Sequence, residues 1–103
     1  MTVPRQGEIW WAAADDKRRP VMVVTRSEAI PVLTGVVVAP VTRTTRGIPT
    51  EVRLDESEGL PSACAASVDN LQRINRAALI ERIGSLGSRR GELCAALGAL
   101  ADC

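Results

Sequence analysis

The 103-residue sequence contains no His, no Tyr and no Phe, and its only aromatics are the adjacent pair Trp10 and Trp11. Each absence removes a class of function. Without imidazole there is no His-ligated zinc or haem site and no Ser–His or Cys–His nucleophile pair. Two neighbouring indoles cannot supply the sheet of stacked aromatics on which several RNA-binding domains lay their bases. Cysteine is scarce as well: Cys64, Cys94 and Cys103 are odd in number and show no C-x-x-C spacing. They are expected to be reduced, mostly buried small apolar residues of a cytosolic protein, not metal ligands. No apolar run approaches the roughly 20 residues that a membrane span needs. The first apolar stretch is short and runs into Asp15 and Asp16, so no secretory leader is expected. The expectation is a soluble, cytoplasmic protein. Any catalysis must run without imidazole.

What is present describes an ordinary globular chain. Hydrophobic residues make up 46% and charged residues 24%, and the length suits one domain spanning residues 1–103. The net charge of +1 is unevenly spread: the first fifty residues carry seven Lys/Arg against four Asp/Glu, the rest six against eight. Of the thirteen basic residues only Lys17 is Lys. Arg presents a planar donor fork that fits phosphate or carboxylate. A basic half built this way serves either an anionic partner or a solvated surface.

Short strands punctuated by Pro and Gly fill the first two thirds. Glu8 to Ala13 is a first strand and Asp15 to Arg19 a charged turn. Pro20 opens a β-branched run, Val21 to Thr25, that is expected to be buried on both faces. Gly35 to Ala39 is a further buried strand, stopped by Pro40. Residues 41–50 form a polar loop longer than most connections in a small domain. Glu51 to Leu54 alternates as a half-exposed strand, Asp55 to Pro61 is an acidic turn, and Ser62 to Ser67 is a small-residue strand. Ile80 to Leu86 is a last strand. From Ser88, an N-cap candidate, Leu93, Leu97 and Leu100 recur at helical spacing. Gly91 and Gly98 weaken that helix by about 1 kcal/mol each. Five to seven strands and one helix predict a mainly β, α+β domain: a small, strongly curved antiparallel barrel with a C-terminal helix on it.

Three polar spots lie at strand ends. Lys17-Arg18-Arg19-Pro20 precedes the buried run, and an Arg at the mouth of a rigid strand can be aimed at an anion. Pro40-Val41-Thr42-Arg43-Thr44-Thr45-Arg46 interleaves hydroxyls and guanidiniums suited to phosphate oxygens. Val68-Asp69-Asn70-Leu71-Gln72-Arg73 offers a carboxylate and two amides, which can pair with base edges or simply satisfy a turn.

Taken in order, these segments resemble the MazF/PemK family of toxin endoribonucleases. The resemblance runs from Arg5-Gln6-Gly7-Glu8-Ile9-Trp10-Trp11 through Arg19-Pro20-Val21-Met22-Val23-Val24 and Val38-Ala39-Pro40-Val41-Thr42. It continues through Leu60-Pro61-Ser62, Val68-Asp69-Asn70-Leu71 and Arg82-Ile83-Gly84-Ser85-Leu86 to the terminal helix. It implies an SH3-like barrel, a cytoplasmic homodimer, and cleavage of single-stranded RNA without metal or cofactor. It also implies inhibition by a cognate antitoxin of a type II pair. The family's Arg-Pro-Val arginine falls on Arg19 and its threonine after the third strand on Thr42, both marked as catalytic. Asp69 matches an acidic position that one branch uses for proton transfer. That branch has an Arg two positions earlier, where this chain has Ser67, and the arginine of the usual Asp-Gln-x-Arg segment is displaced to Arg73. Lys17, Arg18, Arg43, Thr44, Arg46, Asn70 and Gln72 are the expected RNA contacts. Trp11 either lines the groove or divides between core and dimer surface. The stretch Ala63-Cys64-Ala65-Ala66 and the terminal helix are candidate interface segments.

The expected chemistry is attack of a ribose 2′-OH on the adjacent phosphate, giving a 2′,3′-cyclic phosphate and a 5′-OH end. Arg19 and Thr42 would stabilise the charge gathering on the phosphorane oxygens. Two other functions fit such a fold: a toxin of the CcdB type that poisons DNA gyrase by binding, and a non-catalytic SH3-like interaction module. A catalytic site requires Arg19, Thr42 and Asp69 around one cavity. A binding module does not.

Overall fold

The structure, a computed structural model, describes residues 3–14 and 16–101, the side chain of Ala14 excepted. Seven strands are present: β1 (Glu8–Ala14), β2 (Lys17–Val23), β3 (Gly35–Thr42), β4 (Glu51–Leu54), β5 (Cys64–Ser67), β6 (Gln72–Asn75) and β7 (Leu79–Ser85). One helix, α1 (Arg90–Leu100), follows. The strands pair antiparallel in the order β4-β5-β3-β2-β1-β7, with β6 on the early part of β3. The sheet curls into a half-barrel with α1 packed inside the curl, so the barrel expected from the sequence is open, between β4 and β7.

Alternation along the strands gives the sheet two apolar faces. Ile9, Met22, Ala39, Val52, Leu54, Ala66 and Val68 point inward and meet Leu93 and Ala96 of α1. Trp10, Val21, Val23, Val36, Val38 and Leu79 point outward and are joined by Ile30 from a short 3-10 turn. This explains why β2 and β3 carry unbroken apolar runs, since both of their faces are covered. On α1 the buried residues are Leu93 and Ala96, with Leu97 half-buried. Leu100 is exposed, so the predicted leucine stripe is only partly used. Ser88 falls in a 3-10 turn before the helix, and no side chain caps α1.

Strand boundaries differ from the sequence expectation at the basic segment. Lys17, Arg18 and Arg19 are not a turn but the start of β2, paired with Ala14, Ala13 and Ala12. Asp15, placed in that turn, lies outside the described residues. Pro40 does not stop β3, which continues to Thr42. Its missing N–H is tolerated because β6 pairs with β3 only as far as Val38, and β5 begins pairing at Val41; Pro40 falls in the gap. Pro20 likewise sits just past Val21↔Pro40, the last pair of the β2–β3 ladder. The two prolines let β2 and β3 part at one end of the sheet. β6 had no strand prediction of its own. Cys64 is buried as expected, whereas Cys94 is exposed; Cys103 lies outside the described residues.

The acidic turn after β4 is tightly built. Asp55 accepts from the Ser57 amide, and Glu58 accepts from the Asp55 amide at 2.8 Å, a reciprocal capping box. Arg89, just before α1, donates to Glu58 at 2.9 Å, to Glu92 and to the Arg53 carbonyl, tying helix, turn and β4 together. Gly84 of β7 lies directly against this turn: a Cβ there would run into the Glu58 carbonyl.

Candidate active site

The site is assembled by register. On the outer face, Thr42 of β3 lies opposite Ala65 of β5, which lies opposite Arg53 of β4. On the other side of β3 the ladder with β2 ends at Val21↔Pro40, two residues short of Arg19 and Thr42. Arg19 itself pairs with Ala12, an outer-face residue. Directly opposed residues project to the same face, so Thr42 and Arg53 share one row, and Arg19 projects to the same outer face from β2. Arg53 stands two strands from Thr42, about 10 Å between Cα atoms at ordinary strand spacing. That is within the span of an anion held between two guanidiniums.

Arg19, Arg43 and Lys17 are exposed and, among the described residues, none makes a side-chain hydrogen bond or ion pair; the Arg53 side chain is equally unengaged. Arg18 stacks over Trp11, its guanidinium carbon 5.7 Å from the ring centroid. Thr42 Oγ1 accepts from the Thr44 amide at 3.1 Å. That bond uses a lone pair and leaves the hydroxyl proton available to donate. Unpaired cations and an oriented hydroxyl are the groups from which an anion site is built.

Asp69, unlike those cations, is engaged by its own chain. It accepts from the Ser67 hydroxyl at 2.7 Å and from Arg46 Nη2 at 2.9 Å. Arg46 and the Gly47 amide in turn reach Glu51, whose side chain is almost wholly buried. Asn70 donates to Ser67 Oγ. The hydrogen bond from Ser67, and then that from Arg46, hold the Asp69 carboxyl below the usual carboxylate range. Burial pushes Glu51 up, but the bonds from the Arg46 and Gly47 amides and the Arg46 guanidinium outweigh it and leave it low. A carboxylate held this way is a weak proton acceptor.

Of the ten residues expected in the site, Arg19 and Thr42 lie on the outer face of neighbouring strands, Lys17 and Arg18 begin β2, and Arg43 and Thr44 follow the end of β3. Arg46, Asp69 and Asn70 belong to a latch that fastens the 43–50 loop to β4 and β5. Gln72 is exposed on β6 opposite Val38, about 13 Å along β3 from Thr42. Arg53 was missed by sequence reasoning. The alternation of Glu51-Val52-Arg53-Leu54 shows that Arg53 points outward, but only the β4–β5–β3 pairing shows which residue it faces. Among the described residues, no three His, Cys, Asp or Glu side chains converge as metal ligands.

The profile of a family described as PemK-like, MazF-like toxin of type II toxin-antitoxin system matches residues 5–98. The chain belongs to the PemK/MazF toxin family. Among its relatives, probable endoribonuclease MazF5 of Mycobacterium tuberculosis is 39% identical over 104 residues, covering 98% of this chain and 95% of that protein. Endoribonuclease MazF3 of the same organism is 44% identical over 84 residues, covering 81% of this chain and 82% of its own length. The solved structure of M. tuberculosis toxin MazF-mt6 superposes with a TM-score of 0.82 at 41% identity, covering 90% of this chain and 94% of that one. The half-barrel with its C-terminal helix is thus a PemK/MazF fold, as the resemblance implied.

Proposed function

We propose that this PemK/MazF chain is the toxin of a type II toxin–antitoxin pair and cuts single-stranded RNA without a metal. The observation that carries this reading is the placement of Arg19, Thr42 and Arg53 on one face of the sheet, with both guanidiniums unpaired among the described residues. The names of relatives at 39–44% identity, all endoribonucleases, support it. A 2′-OH attacks the neighbouring phosphorus and gives its proton to solvent water, charge builds on the non-bridging oxygens, and the P–O5′ bond breaks as the leaving 5′-oxygen takes a proton from water. Arg19 and the Thr42 hydroxyl are preorganised on rigid strands to receive that charge. Arg53 and Lys17 neutralise the flanking phosphates. Asp69 holds the loop and does not take the 2′-OH proton, because Ser67 and Arg46 already occupy its oxygens.

The chain acts in the cytoplasm, where its RNA substrates are, with residues 1–103 working as one domain. No helix among the described residues is long and apolar enough to cross a membrane. It pairs with itself and with a cognate antitoxin. The small-residue candidate for the self-interface is withdrawn: Cys64, Ala65 and Ala66 are buried in the chain's own core. The alternative is a groove of about 850 Å³ on the outer face, where Trp10 and Leu79 meet the exposed Val3 and Ile80. An apolar hollow of that size is the surface a second copy would cover.

The test is to incubate the protein with long single-stranded RNA in EDTA beside an Arg19→Ala control and sequence the ends. Discrete cuts bearing cyclic-phosphate and 5′-OH ends, lost in the control, are expected. Intact RNA with folded protein would move the assignment to a toxin that acts by binding alone.

A further inference from the structure

The 43–50 loop contains neither helix nor strand, yet it is built around one carboxylate. Glu51, the first residue of β4, has a side chain only 2% exposed. Its Oε1 accepts from the Arg46 and Gly47 amides, each at 2.9 Å. Its Oε2 accepts from the Arg46 amide at 3.1 Å and from Arg46 Nε at 3.4 Å. Two successive amides turned onto one anion form a nest, and Gly47 permits it with a left-handed φ of 66°. The Glu51 amide donates to the Ile48 carbonyl at 3.0 Å and closes the turn. At the other end of the same segment, the Thr44 amide donates to Thr42 Oγ1. Only Thr45 separates Thr44 from the nest. We propose that Glu51 is a positioning residue for the reaction: it fixes the backbone at 46–47, and through it the Thr44 amide that directs the Thr42 hydroxyl. The inference rests on the nuclease reading.

The bonding separates Glu51 from its neighbours. Asp69 grips the same arginine, but only at Nη2, the end of a flexible side chain. Among the described residues, no side chain other than Glu51 accepts from the amides of residues 45–50. The backbone of this loop therefore depends on one carboxylate. A buried carboxylate persists only when its oxygens are filled, and here the loop itself fills them. That closes Glu51 to a substrate, so its influence on the reaction passes through the segment it holds. A hydroxyl that stabilises a transition state must point at the oxygen where charge gathers, and a small misdirection is costly. Thr42 stands at the last position of β3, where the strand fixes its backbone. The bond from Thr44 is what fixes its hydroxyl.

The experiment measures RNA cleavage by wild type, Glu51→Ala, Gly47→Ala and Gly47→Asn, each checked for folding by circular dichroism. A Cβ at Gly47 meets nothing within 4 Å, so Gly47→Ala disturbs only the left-handed φ, which Asn tolerates better. Glu51→Ala and Gly47→Ala should each lower kcat by about 10–10²-fold with KM little changed, and Gly47→Asn should recover most of that loss. The deciding variant adds Thr42→Ala. In that background Glu51→Ala should cost nothing further, because the group through which it acts is gone. Should Glu51→Ala fail to fold, Gly47→Ala carries the same comparison. Additive losses, a loss that appears in KM alone, or a Gly47→Asn as slow as Gly47→Ala would overturn the proposal. A second readout needs no cleavage: the NMR order parameter of the Thr44 amide should fall from about 0.85 to below about 0.6 in Glu51→Ala, with those of β2 unchanged. If wild type leaves RNA intact the nuclease reading fails, and this readout alone decides whether Glu51 holds Thr44, with an unchanged order parameter sinking it.

Discussion

The arginines of this chain fall into two populations that differ in what their guanidiniums touch. Arg46, Arg82 and Arg89 are committed: Arg82 to the buried Glu8 at 2.9 Å, Arg89 to Glu58 and Glu92, Arg46 to Glu51 and Asp69. Arg19, Arg43 and Arg53, like Arg26 and Arg73, make no side-chain bond among the described residues. The contrast separates two uses of one side chain. A guanidinium whose carboxylate comes from the same chain stabilises the fold. One held on a strand without such a partner keeps its full charge for a ligand. A folded chain that leaves several cations close together and unpaired accepts mutual repulsion, and an anionic substrate relieves it.

That contrast can be broken by exchanging the roles experimentally. The largest effect is expected at the free set. Arg19→Ala or Thr42→Ala should lower kcat by about 10²–10³-fold, as removal of one transition-state donor typically does, with the thermal midpoint unchanged. A midpoint that drops with activity would place Arg19 in the structural set. Next, Arg89→Ala should cost about 1–2 kcal/mol of stability, since it leaves Glu58 short of its cation in a partly exposed network. Cleavage per folded molecule should be unaffected; denaturant titration beside a cleavage assay reads both. Arg53→Ala should raise KM by about tenfold with little change in kcat, and should flatten the salt dependence of binding by about one phosphate contact. An unchanged salt slope would remove Arg53 from the row.

A smaller effect, and a sharper test, is expected at the latch. Asp69→Asn keeps the shape of the carboxylate and weakens its hold on Arg46, so cleavage should fall only a few-fold and keep the pH profile of wild type. If Asp69 were the proton acceptor, the loss would match that of Arg19→Ala and the acid limb of the profile would disappear. The acid sensitivity of the fold itself is the smallest effect. Asp69, Glu51, Asp55 and Glu92 all have carboxyls held below their ordinary values. A depressed folded-state pKa stabilises above the unfolded value, and that stability is lost as pH falls through the folded one. Stability should therefore be level near neutrality and begin to decline below about pH 4, with Asp69→Asn declining less.

Much of this was legible in the chain itself. The β-branched runs 21–24 and 36–38 announced strands covered on both faces. The absence of His removed most hydrolytic mechanisms. The order of Arg19-Pro20, Thr42 and Asp69 carried the family. What misled was local. Lys17 to Arg19 look like a charged turn because nothing nearby is apolar, yet β1 extends beside them and pairs them as strand. Pro40 looks like a stop because proline cannot donate to a ladder, yet it falls between two partners and no donor is called for. Asp69 looks like a free carboxylate because Arg46 lies 23 positions away.

Composition and periodicity are properties of neighbours along the chain. They determined that this protein is a mainly β domain with one terminal helix, that its basic side chains would be arginines, and that its chemistry would dispense with imidazole. Pairing between strands is a property of residues far apart in sequence, fixed only when both faces of the sheet are buried together. That pairing alone brought Arg53 onto the row of Thr42, and contacts between distant segments tied Asp69 to Arg46.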